Sequence, residues 1–181
     1  MDLYIDELTA SVLPWPLWAV ALLWFVLFVA SHALHRQAQR VSEAQNHIKV
    51  PSGLSKSSPG KLVISQFLFA CVVFAIGAFL GPVGCAFFAG GWVIATAVAA
   101  TSNLRSLLFF RELARQNAAA GSLELSAPLA IREQAAQLAA AVVLCLVAGL
   151  LVPHLSLLGG AFFLASLAAG YVRRAREPER A

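Results

Sequence analysis

Apolar residues along the chain gather in five long stretches that contain no Asp, Glu, Lys or Arg, with polar segments of unequal length between them. A transmembrane α-helix needs about 20 such residues, because the helical rise must cover a hydrocarbon layer about 30 Å thick. The pattern therefore predicts five transmembrane helices, at residues 17–34, 62–80, 83–104, 134–152 and 155–172.

Two of the breaks between these helices are very short. Gly81 and Pro82 separate the second helix from the third, and Pro153 and His154 separate the fourth from the fifth. Proline lacks the N–H that would continue a helix, so both breaks predict tight turns. We expect an all-α integral membrane protein in which one transmembrane helix precedes two tight helical hairpins, all within a single transmembrane domain of residues 1–181.

The basic residues predict the orientation, since Lys and Arg collect on the cytoplasmic side of a membrane. In the five-helix layout one side carries no basic residue and holds Asp2, Asp6 and Glu7. We therefore expect the N-terminus outside and the C-terminus in the cytoplasm, with a cytoplasmic linker at 49–61 and a cytoplasmic tail at 173–181. The cytoplasmic side then holds all 13 Lys and Arg residues, in segments 36–61, 105–133 and 173–181.

The composition is typical of a membrane protein and indicates which surroundings and partners to expect. The chain is 60% hydrophobic and 12% charged, with a mean hydropathy of +0.77, whereas soluble domains carry about 25% charged residues. The pI near 9.3 does not indicate nucleic-acid binding, because topology already accounts for every basic residue. We expect a lipid bilayer as the surroundings, and the Ala-rich sequence with a single Met favours a bacterial inner membrane.

The two hairpins share their order of polar and helix-breaking residues at a spacing of 68 to 72 positions. A duplication would relate them by an axis along the membrane normal. Alternatively, any apolar hairpin needs a breaker at its tip and small residues beside it, and the sequence leaves both explanations open. The matched positions are Gln66 with Gln134, Gly77 with Gly149, Pro82 with Pro153, Gly90-Gly91 with Gly159-Gly160, and Arg105 with Arg174.

Strongly polar residues within the helices concentrate near the ends that join the basic segments. One interpretation is a polar cavity that opens to the cytoplasm and is closed on the outer side by the apolar hairpins. The other is that helix ends near an interface tolerate polar residues at little cost. The candidate cavity residues are His32, Gln66, Thr101, Ser102, Asn103, Arg105, Gln134 and Gln137.

Small residues inside the helices are candidates for helix packing, because they allow backbones to approach closely in a bilayer. Near the C-terminus, arginines are candidates for contact with the headgroups of anionic lipids. The candidate packing residues are Gly77, Gly81, Gly90, Gly91, Gly159 and Gly160, and the candidate headgroup contacts are Arg173, Arg174 and Arg176.

No pattern in the sequence indicates a catalytic, cofactor or metal site. No Asp or Glu lies in the middle of a span, which disfavours a carboxylate-based antiporter. The cysteines form no CxxC pair, and His32 with His35 would make only half of a metal site. Nucleotide-binding and hydrolase motifs are missing as well. We expect no cofactor, and the sequence leans against an enzyme.

These features favour a small homo-oligomeric channel or transport component with a cytoplasm-facing polar cavity, where Arg105 would favour an anionic substrate. The alternative is a non-catalytic accessory or assembly subunit that docks onto a larger membrane complex through its small-residue faces. A membrane enzyme acting on lipid or quinone ranks third, because no acid/base pair converges. The expected partners are further copies of the chain or a membrane partner subunit.

Overall fold

Helices account for almost all of the chain that the computed structural model describes, which is residues 16–46, 59–120 and 127–176. No strand occurs within these ranges, so the all-α prediction is confirmed for them. A π-helix and two α-helices, α3, π1 and α4, follow one another without a break. The elements are α1 (Leu17–Asn46), α2 (Pro59–Phe79), α3 (Gly81–Gly84), π1 (Cys85–Gly90), α4 (Gly91–Ala120), α5 (Ala127–Leu151) and α6 (Leu155–Arg176).

Four helical segments of the described chain are long and apolar enough to cross a membrane, and they fit the predicted multi-pass membrane protein. The apolar part of α2, Ile64–Phe79, is shorter and covers about 24 Å at the α-helical rise. The count of five spans therefore stays a prediction. The four segments are Leu17–Val41, Gly81–Gln116, Arg132–Leu151 and Leu155–Arg173.

Large apolar side chains lie exposed along the outer faces of α1, α2 and α5. Trp18, Phe79, Leu144 and Leu150 have exposed fractions between 70% and 90%. The buried core, in contrast, contains more alanine than any other apolar residue. Small residues between helices and bulky apolar residues on the outside are typical of helices packed in a bilayer.

α1 and α4 lie side by side and run in the same direction. The side-chain amide of Asn103 donates to Ser31 Oγ at 2.9 Å and to the Ser31 carbonyl oxygen at 3.1 Å. Further along both helices, Ala38 packs with Leu107 and Phe110. The residue numbers of the contacting pairs rise together on both helices, so α1 and α4 are parallel.

α6 is also parallel to the long helix formed by π1 and α4. Ser156 Oγ, in the first turn of α6, donates to the Ala86 carbonyl oxygen in π1 at 2.9 Å. Two turns further along α6, the Phe163 ring meets the Trp92 ring, with centroids 4.7 Å apart. α1, α4 and α6 therefore point the same way.

α5 is antiparallel to these three helices. Ser102 Oγ donates to Gln137 Oε1 at 3.0 Å, and Gln134 Nε2 donates to Ser106 Oγ at 3.0 Å. As the residue number on α4 rises from 102 to 106, the number of its partner on α5 falls from 137 to 134. The two helices therefore run in opposite directions.

α2 is antiparallel as well, so that the two short turns lie at one end of the bundle, which we call the hairpin end. Phe69 meets Trp92 with ring centroids 5.2 Å apart, and Gly77 approaches Gly84 near the turn. α2 ends at Phe79, and Gly81 has a φ of +72°, a conformation that strains residues with a Cβ. The turn after α5 begins beyond Leu151. Both turns lie where the prolines predict them.

The opposite end, which we call the basic end, is formed by the C-termini of α1, α4 and α6 and the N-termini of α2 and α5. Every arginine whose side chain is described lies closer along the chain to this end than to the hairpin end, where the long helix is counted from Gly81: Arg36, Arg40, Arg105, Arg111, Arg115, Arg132, Arg173 and Arg176. The three N-terminal acidic residues, positions 49–58 of the predicted linker and positions 177–181 of the predicted tail lie outside the described residues.

α4 and α6 cross at glycines near the junction of π1 and α4. A Cβ built on Gly91 would lie 2.5 Å from the carbonyl carbon of Gly159, and one built on Gly160 would lie 2.9 Å from Ile94 Cγ2. A Cβ built on Gly159 would overlap the Phe87 carbonyl oxygen. The crossing therefore has no room for a side chain at these three positions unless the helices move apart.

We expect Gly91→Ala to destabilise the protein by about 2 kcal/mol, a typical cost of overpacking. The new methyl group would push the backbones of α4 and α6 apart. In thermal unfolding of the purified protein in detergent micelles this corresponds to a loss of about 4–8 °C in Tm.

Gly170→Ala is the matched control, because a Cβ built on Gly170 meets nothing within 4 Å and this glycine also lies inside α6. The control should keep or slightly raise Tm, since alanine is the better helix former. Equal losses in the two variants would contradict a steric origin at the crossing.

Candidate functional site

The eight candidate polar residues fall into two groups on neighbouring faces of α4, with one residue in neither group. Ser102, Arg105, Gln134 and Gln137 lie between α4 and α5, and His32, Gln66 and Asn103 lie among α1, α2, α4 and α6. Thr101 is exposed and donates its hydroxyl to the Ala97 carbonyl oxygen of its own helix. The residues of the one predicted cavity therefore lie in two separate places in the structure, with Thr101 outside both.

The first, which we call the polar cavity, has a volume of about 210 Å³ and lies between α4 and α5 at the basic end. Both helices contribute residues at positions i, i+1 and i+4, a spacing that places side chains on one helical face. The lining residues are Arg105, Ser106, Phe109 and Phe110 on α4, and Glu133, Gln134 and Gln137 on α5.

Hydrogen bonds between α4 and α5 hold the wall of the polar cavity. Gln134 and Ser102 are buried, and they bond across the interface to Ser106 and Gln137 respectively, both at 3.0 Å. Gln137 Nε2 also donates to Glu133 Oε1 at 3.5 Å along α5. Because interhelical hydrogen bonds in a bilayer contribute about 0.6–1.7 kcal/mol each, these amides fix the register of the two helices.

Opposite charges line the polar cavity from facing helices. Arg105 on α4 and Glu133 on α5 are both exposed at the cavity wall. Among the described side chains the ion pair within 4.0 Å is Arg115–Glu112, which involves neither this guanidinium nor this carboxylate. Arg105 and Glu133 can therefore each meet a charged group of a ligand.

The second cavity, which we call the aromatic cavity, has a volume of about 170 Å³ and lies among α1, α2, α4 and α6. Its walls are mainly aromatic rings and small or aliphatic side chains. The residues that carry its chemistry are Phe28, His32, Gln66, Trp92, Asn103 and Tyr171.

Asn103 joins α1 to α4 at the wall of the aromatic cavity. Its side-chain nitrogen donates to both oxygens of Ser31, the hydroxyl and the carbonyl. Asn103 is half-buried, so its amide is withdrawn from water by α1. Its main structural role is thus to hold a helix in place.

The candidate packing glycines lie toward the hairpin end and close it. Gly77 approaches the Gly84 carbonyl oxygen, and Gly91 and Gly159 meet at the crossing of α4 with α6. Gly90 is buried in π1. Gly81 has no atom within 4 Å of a built Cβ, so it serves the turn conformation and not helix contact.

The remaining candidates are the three arginines near the C-terminus, and the structure describes the side chains of two of them. Arg173 and Arg176 are exposed at the basic end, whereas the side chain of Arg174 lies outside the described residues. Contact with lipid headgroups stays a prediction for all three. Within residues 16–46, 59–120 and 127–176, no three or more His, Cys, Asp or Glu side chains lie close enough together to hold a metal ion.

Comparison of the chain with protein-family models, with curated proteins and with solved structures finds no match in any of the three.

Several side chains that line the cavities are missing from the predicted set, and three of them show what signal the sequence carried. Glu133 lies one helical turn before Gln137 and shares its face, so helical spacing alone could have found it. Ser31 and the cavity role of Trp92 had no such signal, because they depend on α1 docking beside α4.

We expect Asn103→Ala to lower the free energy of unfolding by about 0.6–1.7 kcal/mol, because two hydrogen bonds between α1 and α4 are lost. Unfolding by SDS titration in mixed micelles measures this. Thr101→Ala is the matched control, since it removes a hydrogen bond within one helix turn, and it should change the free energy much less. A larger effect for Thr101→Ala would contradict the assigned role of Asn103.

Proposed function

We propose that the protein is a five-span membrane transport component that binds a small zwitterionic solute in the polar cavity. The observation that carries the proposal is the placement of Arg105 and Glu133 on facing helices that line one cavity of about 210 Å³. Ligand sites typically combine an enclosed volume with a few polar groups that fix orientation.

The chemistry of the lining favours a solute that carries both charges. A guanidinium binds carboxylate or phosphate through two hydrogen bonds, and Glu133 can accept from an ammonium group. A simple anion, which Arg105 alone would favour, would also meet the carboxylate of Glu133. An α-amino acid or a similar zwitterion meets both charges favourably, and Gln134 and Gln137 supply further amide groups.

The closed hairpin end supports a role in transport. The polar cavity lies at the basic end, whereas Gly91, Gly159 and Gly77 bring backbones together at the other end. A transporter exposes its site to one side of the membrane at a time. π1 directly precedes the crossing, and π-helical segments are frequent at functional positions in helices. We assign the crossing as the closed gate of this state.

The parallel arrangement of α1 and α4 supports five spans. Two neighbouring helices that cross a membrane in the same direction need a return crossing between them, and α2 is the described helix between them in the chain. The arginines at the basic end favour the cytoplasm for that end. The homo-oligomeric state and the bacterial inner membrane stay predictions.

Labelling of introduced cysteines tests the spans and the orientation. In a background with Cys71, Cys85 and Cys145 replaced by alanine, we expect Leu80→Cys and His154→Cys to react with a membrane-impermeant maleimide in intact cells. Arg111→Cys should react only after permeabilisation. Labelling of Leu80→Cys and His154→Cys from opposite sides would contradict a membrane-crossing α2.

Uptake into liposomes that contain the purified full-length chain alone tests the function. We expect uptake of a radiolabelled α-amino acid from a panel of neutral side chains above that of protein-free liposomes. Arg105→Gln and Glu133→Gln should each reduce uptake about 10-fold or more, since hydrogen bonds to charged groups contribute about 1.5–3 kcal/mol.

Arg111→Gln is the matched control, because Arg111 is exposed on the same helix and does not line the polar cavity. Its uptake should equal that of the unchanged protein. Liposomes without uptake of any panel member would sink the transport proposal and favour a non-catalytic accessory subunit. An equal loss in Arg111→Gln and Arg105→Gln would remove the polar cavity from the mechanism.

A further inference from the structure

The two charged side chains of the polar cavity start from nearly the same level on facing helices. Gln134 Nε2 donates to Ser106 Oγ at 3.0 Å, and Arg105 and Glu133 directly precede Ser106 and Gln134 in the chain. Their backbone positions therefore differ in level by only about 3 Å at the α-helical rise. A small solute whose two charges lie close together can reach both side chains at this level.

The wall of the polar cavity differs on the two sides of this level. Toward the hairpin end the wall is Gln137, whose side-chain oxygen accepts from Ser102 Oγ at 3.0 Å. Toward the basic end the wall is formed by Phe109 and Phe110. Phe109 lies one helical turn beyond Arg105, about 6 Å along α4. An apolar part of a bound solute therefore finds its matching surface on the side of the basic end.

Phe109 and Phe110 form an aromatic corner with surface that a ligand can cover. Their ring centroids lie 5.7 Å apart, with 65° between the ring planes. Phe110 is buried and packs with Ala38 and Leu107, so α1 holds its ring in place. Phe109 is 38% exposed. A further ring fits such a corner, because aromatic rings prefer edge-to-face and offset-stacked contacts.

The volume of the polar cavity suits a solute that carries one ring. A cavity of about 150 Å³ holds one benzene molecule, and the polar cavity has about 210 Å³. The difference leaves room for a compact charged group beside the ring. A smaller zwitterion such as glycine would fill only part of the cavity and would leave the aromatic corner in contact with water.

We propose that the zwitterionic solute of the polar cavity is an α-amino acid with an aromatic side chain. Its carboxylate meets Arg105, its ammonium group meets Glu133, and its ring covers Phe109 and Phe110. Phe109 is the residue that determines specificity, since it supplies exposed ring surface at the cavity wall. The assignment rests on the proposed function, because the same two charges hold the solute there.

Calorimetric titration of the full-length chain in nanodiscs tests the proposal, with L-phenylalanine and L-alanine as probes and empty nanodiscs as the blank. The two probes carry the same charges and differ by one phenyl group. We expect phenylalanine to bind at least about tenfold more tightly, because its ring leaves water in the cavity. Equal affinities would overturn this proposal and leave the zwitterion site in place. Binding of neither probe would overturn the zwitterion site and this proposal together.

Variants at Phe109 test whether its ring causes the preference for phenylalanine over alanine. Phe109→Ala should reduce that preference about two- to tenfold, the worth of an aromatic contact, and Phe109→Tyr should keep it. Leu108→Ala is the matched control, because Leu108 is an exposed apolar residue of the same helix and does not line the polar cavity. Its preference should stay unchanged. An equal loss in Leu108→Ala and Phe109→Ala, or no loss in Phe109→Ala, overturns the proposal, provided that thermal unfolding shows each variant to be folded.

Discussion

The close approach of α4 and α6 at their glycines determines the shape of the rest of the bundle. At Gly91 and Gly159 the two backbones touch, and the Ser156 hydroxyl bonds to the Ala86 carbonyl oxygen one turn nearer the hairpin end. Both cavities lie beyond this crossing, toward the basic end, on neighbouring faces of α4. Without glycine at the crossing, α4 and α6 would have to move apart at the hairpin end, because side chains there would meet the backbone of the other helix.

The same crossing bears on the relation between the two hairpins. Two copies related by an axis along the membrane normal place equivalent helices in parallel contact at that axis. α4 and α6 are parallel, and their contacts pair Ala86 with Ser156 and Gly91 with Gly159, which are 70 and 68 positions apart and match the spacing found in the sequence. A duplication would produce such an arrangement, and the alternative of independent hairpins stays open. The two hairpins differ in what surrounds them: Gln134 bonds to Ser106, whereas Gln66, at the matched position, lines the aromatic cavity beside α1.

The sequence predicts features that depend on a single helix. It does not predict features that depend on how neighbouring helices pack. Helix character, the ends at Phe79 and Leu151 and the collection of arginines at one end follow from hydropathy, proline and charge along the chain. The level of the polar residues along the helices can also be predicted from the sequence. The directions of their side chains cannot, because Thr101, Ser102 and Asn103 are consecutive and a helix turns by about 100° between successive residues. Thr101 therefore faces outward, Ser102 faces α5 and Asn103 faces α1, so consecutive residues of the one predicted cavity lie on different faces of α4. The packing of α1 beside α4 is a tertiary contact, and no local sequence pattern predicts it.

The two cavities beside α4 extend over different levels along the long helix. The segment Gly81–Gln116 has 36 residues and extends over about 54 Å at the helical rise, well beyond a hydrocarbon layer of about 30 Å. With the hairpin turn at one membrane surface, Arg105, about 36 Å from the turn by the same measure, would lie at headgroup level. Trp92, about 16 Å from the turn, would lie within the hydrocarbon. α1 accompanies α4 past the interface, since Ala38 packs with Leu107 and Phe110 beyond the level of Arg105. The long helix thus lines both cavities, and in a membrane the polar cavity would lie nearer the headgroups while the aromatic cavity would reach into the hydrocarbon.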